Sequence, residues 1–228
     1  MARARRLIVT LDGPAGCGKS TAASALARAL GYLYLDTGAM YRALAWKSLR
    51  VGVAPTDARR LGSLARRTRI DLRVDPGHAV RVLVDGREAT LAIRTASVAA
   101  RASEIAVIPA VRRAMVAQQQ RLGRHGRVVA EGRDIGTVVF PDAPWKFYLT
   151  ACPTTRARRR QQDLQRAGQR LPYAEVLRQV RERDRRDLTR AASPLRRARG
   201  AIVVDTTRRL PRQTLHYLLN CLKHHPVR

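Results

Sequence analysis

Eight consecutive residues, Gly13-Pro14-Ala15-Gly16-Cys17-Gly18-Lys19-Ser20, carry the clearest chemistry in the chain. They satisfy G-x-x-x-x-G-K-[ST], a pattern whose glycines let successive backbone N–H groups curl around phosphate oxygens where side chains would clash. Lys19 supplies a point charge toward the outer phosphates, and Ser20 a hydroxyl suited to Mg²⁺. Thr21 adds a second hydroxyl, and a helix starting here would add the positive end of its dipole. Average residue usage would produce the pattern in roughly one such chain in a hundred. Cys17 fits as a small residue in a tight loop. The chain therefore binds a nucleoside triphosphate, and the open question is what receives the phosphate.

Three further segments bear on the acceptor. Leu35-Asp36-Thr37-Gly38-Ala39-Met40-Tyr41-Arg42 begins where a strand ends, with Thr37 expected as helix N-cap and Arg42 about one turn in. Val129-Ala130-Glu131-Gly132-Arg133-Asp134-Ile135-Gly136-Thr137 follows another strand-like run. Ligands in open α/β sheets sit at the carboxyl ends of strands, where both segments fall. Arg183, Asp187 and Arg190, at i, i+4 and i+7, share one helical face within about 60°. That spacing equally suits a solvated, ion-paired helix.

These residues need a scaffold. Leu7–Leu11, Tyr32–Leu35, Arg127–Ala130, Trp145–Leu149 and Ala201–Asp205 read as short apolar strands, and Ser20–Leu30 and Gly38–Leu49 as helices. Their alternation implies a parallel sheet with helices on both faces. Two regions interrupt it. Ile70–Val74 and Val80–Val84 alternate around Asp75-Pro76-Gly77 and predict a hairpin, followed by helices from about Thr95 to Arg121. Thr154–Arg190 reads as a long charged helical stretch, broken near Gly168 and Pro172.

Composition sets the outer bounds. The chain has 228 residues and a formal net charge of +28, nearly all of it arginine; the only lysines are Lys19, Lys47, Lys146 and Lys223. Such a charge favours anionic partners without choosing among them. A hydrophobic fraction of 45% supplies a core and excludes wholesale disorder, and an aromatic fraction of 4% makes that core aliphatic. No stretch approaches the roughly 20 apolar residues of a bilayer span. The basic opening Met1–Arg6 precedes an apolar run, but Leu7–Leu11 is too short for the h-region of a signal peptide and no cleavage site follows it. Cys17, Cys152 and Cys221 lack metal-ligand spacing and fit a reducing, cytoplasmic compartment. No coiled-coil heptads are present, so a monomer is expected. A nucleic-acid-dependent NTPase is disfavoured, because no apolar run ends in Asp-Glu and few aromatics are available for base stacking. A GTP switch would need an Asn-Lys-x-Asp signature that is not there. A kinase for UMP or another small acid is the nearest rival reading.

The stretches LDGPAGCGKST, YLDTGAMYRALA, IRTASVAARAS with IPAVRRAM, VVAEGRDIGTVVFPDAPWKFYLTA and RERDRRDLTR together resemble the bacterial cytidylate kinases, the (d)CMP kinase branch of the nucleoside monophosphate kinases. The resemblance runs from residue 11 to about 206, and EGRDIGTVVFPDA is its most discriminating part. It implies a P-loop NTPase fold of three α/β/α layers with a central parallel five-stranded sheet. The core would span about residues 5–50, 122–153 and 191–228. An NMP-binding subdomain with the hairpin insertion would span about 51–121, and a helical lid about 154–190. The implied reaction moves the γ-phosphate of ATP, with Mg²⁺, to CMP or dCMP.

By the same resemblance, Gly13 through Thr21 bind ATP and Ser20 the metal. Thr37, Arg112 and Asp134 read cytosine. Arg42, Arg133 and Arg190 hold the acceptor phosphate, while Arg183 and Asp187 contact the ribose. Lys19, Arg133, Asp134, Arg183 and Arg190 form the catalytic set. Asp12 corresponds to the family's acid before the loop, Arg94 to a nearby residue that either supports or contacts the acceptor, and Glu131 to the metal's water shell. The lid arginines Arg156, Arg158, Arg159 and Arg160 would close on the triphosphate, with Arg159 among its ligands. Departures are GKS where many relatives have GKG then Thr, Thr37 for Ser, and Glu131 for Asp.

Overall fold

The computed structural model describes residues 7–75, 80–166 and 168–224. Strand β1 (Ile8–Asp12) is buried at every position, as a central strand must be. It lies between β6 (Val128–Gly132) and β7 (Trp145–Thr150) in a sheet of order β2-β6-β1-β7-β8, with β2 at Leu33–Asp36 and β8 at Ile202–Asp205. Every neighbouring pair is parallel, so the five-stranded parallel sheet expected from sequence is present. Register decides what this sheet can do. Asp12 pairs with Gly132, and Asp36 with Glu131, so the carboxyl ends of β1, β2 and β6 finish level. The loops that follow them meet at one edge.

Helices α1 (Lys19–Leu30) and α2 (Thr37–Arg50) follow β1 and β2. Gly18 starts α1 at φ 84°, a conformation that a side chain would strain. A Cβ on Gly13 would come within 2.0 Å of the Leu149 carbonyl oxygen, so only glycine lets the loop pass β7. The cap of α2 corrects the sequence expectation. Asp36, not Thr37, is the N-cap and accepts from the Ala39 N–H at 2.8 Å. The Thr37 hydroxyl instead donates to the Glu131 carbonyl at 2.6 Å, which ties α2 to β6.

The first interruption holds α3 (Ala58–Arg67), the antiparallel strands β3 (Ile70–Val74), β4 (Val80–Val84) and β5 (Arg87–Glu88), then α4 (Ala96–Ile105) and α5 (Pro109–Leu122). The expected hairpin is β3–β4, paired Ile70 to Val84; its Pro76-Gly77 turn lies outside the described residues. The second interruption is the helical pair α6 (Pro153–Arg166) and α7 (Tyr173–Thr189), separated around Gly168 and Pro172 as expected. Helix α8 (Pro211–His224) closes the described chain.

Two aliphatic clusters cover the sheet. One face packs α1 and α8 through Leu26, Phe147, Leu149 and Leu218. The other runs unbroken from Leu35 and Val128, through Met40 and Leu44, into Ile70, Ile105 and Met115. The α6–α7 pair has a small cluster of its own, built on Ala157, Leu164, Val176 and Val180.

Candidate active site

Two cavities open at the level ends of the strands. One, of about 510 Å³, lies between α2, α4, the turn after β6, and α7. The other, of about 390 Å³, lies between the phosphate-type loop, α6 and the start of α8. Gly16, Lys19 and Ser20 line both, so the loop forms the shared wall. A third hollow along the outer face of α7, near Ala174 and Leu177, has no link to the loop.

Within the loop, Lys19 is buried and its Nζ donates to the Pro14 carbonyl at 2.6 Å. Burial lowers its pKa, and Arg133 lowers it further while the Cys17 sulfur and Glu131 work the other way. Cys17 is buried with its thiol 3.6 Å from Lys19 Nζ, a packed loop residue rather than an exposed nucleophile. Gly16, Gly18, Ser20 and Thr21 line the smaller cavity, Ala15 the larger; Gly13, Pro14 and Cys17 shape the loop from behind. Asp12 lies beneath it. Its carboxylate accepts from the Ile135 and Gly136 N–H groups at 2.8 and 2.7 Å, anchoring the π-helical turn Ile135–Val139. Burial nevertheless raises the Asp12 pKa to about 6, with the two backbone bonds pulling against it.

The larger cavity gathers nine cationic side chains against five carboxylates. Thr37, Arg42, Arg94, Arg112, Arg133, Asp134, Arg183, Asp187 and Arg190 all line it. Arg42 pairs with Asp36 at 3.0 Å. Arg112 and Asp134 form a buried ion pair, and Arg112 lies over the Tyr41 ring at 5.7 Å. Arg190 donates from Nε to the Ser193 carbonyl at 2.7 Å; its Nη2, 3.8 Å from Asp134, makes no hydrogen bond. The Arg112 Nε and the Tyr41 hydroxyl are likewise buried without a partner. A site that leaves such donors unmatched is built for a further acceptor group.

Arg133 donates from Nε to Asp187 at 2.7 Å. That pair sets both pKa values: burial works against each charge, but their attraction raises Arg133 and lowers Asp187. Arg183 is reached by the solvent filling the cleft. Enclosure by the cleft walls, and then the neighbouring Arg133, push its pKa down to about 10. The Arg133 and Arg183 guanidinium groups, crowded in this way, repel each other until an anion sits between them.

The structure separates the four arginines of α6, all expected to close on the triphosphate with Arg159 among its ligands. Arg156 does not face either cavity. It is buried, binds Asp184 through two bonds of 2.8 and 2.6 Å, and also donates to the Ala15 and Ala151 carbonyls. Arg158 is exposed and lines neither cavity. Arg159 lines the smaller cavity and donates to the Thr206 hydroxyl and carbonyl at 3.1 and 2.6 Å. Arg160 lines the larger one.

Several residues at the site were not anticipated. Tyr34 donates to Glu131, whose carboxyl pKa is raised by burial and by Asp36, with Lys19 opposing. Arg186 donates to Ser103 at 3.2 Å, joining α7 to α4 across the larger cavity. Its spacing from Arg183 and Arg190 would have revealed it. Thr206, which donates to the Cys17 carbonyl at 2.8 Å, and Arg209, on the wall of the smaller cavity, lie at or beyond the last recognisable motif and carried no signal.

Comparison with known proteins agrees with this geometry. The family model described as cytidylate kinase matches residues 9–224. A cytidylate kinase of Desulfitobacterium hafniense is 49% identical over 203 residues, covering 89% of this chain and 87% of that protein. One from Symbiobacterium thermophilum is 44% identical, covering 89% and 90%. A bifunctional pantoate ligase/cytidylate kinase of Gloeobacter violaceus is 48% identical over 94% of this chain. The chain spans 42% of the length of that bifunctional protein.

Proposed function

The chain belongs to the cytidylate kinase family, and we propose that it transfers the γ-phosphate of ATP to CMP or dCMP, giving ADP and CDP or dCDP. The observation carrying this reading is the shared wall: Gly16, Lys19 and Ser20 line both cavities, so a phosphate in one adjoins the contents of the other. The smaller cavity takes the donor and the larger the acceptor. About 51–121 forms the acceptor-binding subdomain and about 154–190 the lid on a core of about 5–50, 122–153 and 191–228.

Phosphoryl transfer is mostly alignment and charge stabilisation, and the attacking phosphate oxygen is already anionic, so no general base is needed. Lys19 leaves the Pro14 carbonyl for the donor phosphates. Arg42, Arg133 and Arg190 hold the acceptor phosphate with planar forks suited to it. Arg183 and Asp187 hold the ribose. Thr37, Arg112 and Asp134 read the base, Asp134 accepting from the cytosine amino group. The Thr37 hydroxyl already donates to Glu131, which leaves its lone pairs for the ligand. Closure of α6 and α7 excludes water that would otherwise hydrolyse ATP.

The donor set around Ser20 fits Mg²⁺. Ser20, Asp36 and Glu131 line the same cavity, and all carry hard oxygen donors. Bound there, Mg²⁺ would neutralise charge on the β- and γ-phosphates. Among the described residues no helix is long and apolar enough to cross a membrane. The three cysteines are free thiols. A monomer acting in the cytoplasm, without a specific nucleic-acid partner, accords with this reading.

The test is an acceptor panel with Mg-ATP, separated by chromatography, with and without RNA. CDP and dCDP are the expected products. RNA-stimulated ATP hydrolysis with no phosphorylated monophosphate would overturn the reading.

A further inference from the structure

On the face of the sheet that packs α1, strands β2 and β6 bring three polar side chains together. Asp36 stands opposite Glu131, and Tyr34, two residues earlier on β2, stands opposite Val129. Side chains alternate along a strand, so Tyr34, Asp36 and Glu131 share that face. Two carboxylates this near repel each other, and each is drawn to a different partner. Asp36 is held toward α2, by the Ala39 N–H at 2.8 Å and by Arg42 at 3.0 Å. Glu131 accepts from the Tyr34 hydroxyl. The cations that bear on Glu131 are Lys19 and Arg133.

The Tyr34 bond does little for cohesion. Strands β2 and β6 already share a backbone ladder from Leu33 to Asp36, and the Thr37 hydroxyl adds a tie to the Glu131 carbonyl at 2.6 Å. What the bond does is fix a side chain. Glutamate has three torsions and loses more rotamer freedom than most side chains when it is held. Tyrosine has two, and the Tyr34 ring packs against the aliphatic cluster between the sheet and α1, so its hydroxyl is a firm anchor. Thr37 thus fixes the backbone of Glu131 and Tyr34 its carboxylate. That carboxylate is buried, yet it lines the larger cavity together with Lys19, Ser20 and Asp36.

We propose that Tyr34 is a positioning residue, whose hydroxyl holds the Glu131 carboxylate on the wall it shares with Ser20, ready to orient the water shell of the Mg²⁺ that accompanies the donor phosphates. Mg²⁺ keeps several of its waters when it binds beside phosphates, and a carboxylate acts on such waters only from a fixed place. The inference rests on the metal reading of Ser20, Asp36 and Glu131. It gives Tyr34 no contact with either nucleotide, which separates its test from those of Lys19 and the arginines.

The β,γ-imido analogue of ATP is titrated calorimetrically into the full chain, with excess Mg²⁺ and again with EDTA. The unaltered chain is expected to bind it about tenfold or more tightly with Mg²⁺. Tyr34→Phe keeps the ring and its packing; it should cut that gain about three- to tenfold and leave affinity in EDTA within about twofold. Glu131→Gln should cut the gain at least as far. Adding Tyr34→Phe to Glu131→Gln should then change nothing more, because the hydroxyl acts through the carboxylate. Equal weakening with and without Mg²⁺ would mark a tie between strands alone and overturn the inference. So would an undiminished gain in Tyr34→Phe, or additive losses in the double variant. An unaltered chain that binds the analogue equally well in both conditions would overturn the metal position and the inference with it. Absence of binding in either condition would overturn the donor reading itself.

Discussion

The segment from α3 to α5 and the α6–α7 pair both wall the acceptor cavity, but different forces hold them to the sheet. The first shares one apolar cluster with it, from Leu35 and Val128 out to Ile70, Ile105 and Met115. The second keeps its apolar contacts to itself and meets the rest of the molecule through polar ones. These are Arg156 with the Ala15 and Ala151 carbonyls; Arg133 with Asp187; Arg186 with Ser103; and Arg159 with Thr206. Apolar burial is non-directional and hard to exchange, whereas ion pairs can be traded for other charged partners. One wall of the cleft is thus bonded into the core. The other is pinned at points, several of which a bound nucleotide can replace.

The largest expected effect comes from removing one of those replaceable pins. Arg133→Ala should lower kcat/KM for CMP by about a thousandfold or more, on the order of 4 kcal/mol of transition-state stabilisation. ADP affinity should stay within a few-fold. If ADP binding fell as far as turnover, Arg133 would belong to the donor side.

A pair of truncations addresses the mode of attachment. Met115→Ala should cost about 3 kcal/mol of global stability, visible as a lower melting temperature. Leu164→Ala removes a similar side chain from the small cluster, yet should leave the global transition nearly in place. Amide exchange should instead quicken in α6 and α7 alone. A global loss for both would show that the α6–α7 pair is bonded into the core as well.

On the proposed reading the base is chosen by Asp134, after β6, with Arg112 from the bonded segment. Asp134→Ala should narrow the preference for CMP over UMP by about ten- to a hundredfold. Retained discrimination would remove Asp134 as base reader.

The smallest effect is a pH dependence of opposite sign on the two sides. Asp12, beneath the loop, has its pKa raised to about 6, so the folded state binds its proton more tightly than the unfolded chain does. Its contribution to stability falls as pH rises from about 4 to 6 and stays low above. Asp187, on α7, has its pKa lowered, so its pairing with Arg133 stabilises at neutral pH and is lost below the usual carboxylate range. Relative to the unaltered chain, Asp12→Asn should gain about 2 kcal/mol between pH 4.5 and 7.5. Asp187→Asn should compare most favourably at the acid end. Denaturant melts at both pH values check the two signs.

What could be read from the sequence follows the range of the forces involved. The loop, the five strands and the break near Pro172 are set by neighbours in the chain, through glycine conformation, alternation and proline. The cap of α2 was misread by one residue, because Thr37 is claimed by the Glu131 carbonyl from a strand distant in sequence. Arg156 looked like its neighbours Arg158 and Arg159. Its burial depends on Asp184 and Ala15, which no local pattern brings near. Arg209 owes its place to Tyr217 across one turn of chain, and without the cavity beside it nothing marks it out.

The central claim is that two nucleotides lie end to end across the wall made by Gly16, Lys19 and Ser20. A single molecule joining adenosine and cytidine through five phosphates measures that directly. By titration calorimetry it should bind at least a hundredfold more tightly than ADP or CMP alone, and each of the two should displace it. Affinity no better than that of ADP, with displacement by ADP only, would contradict the account.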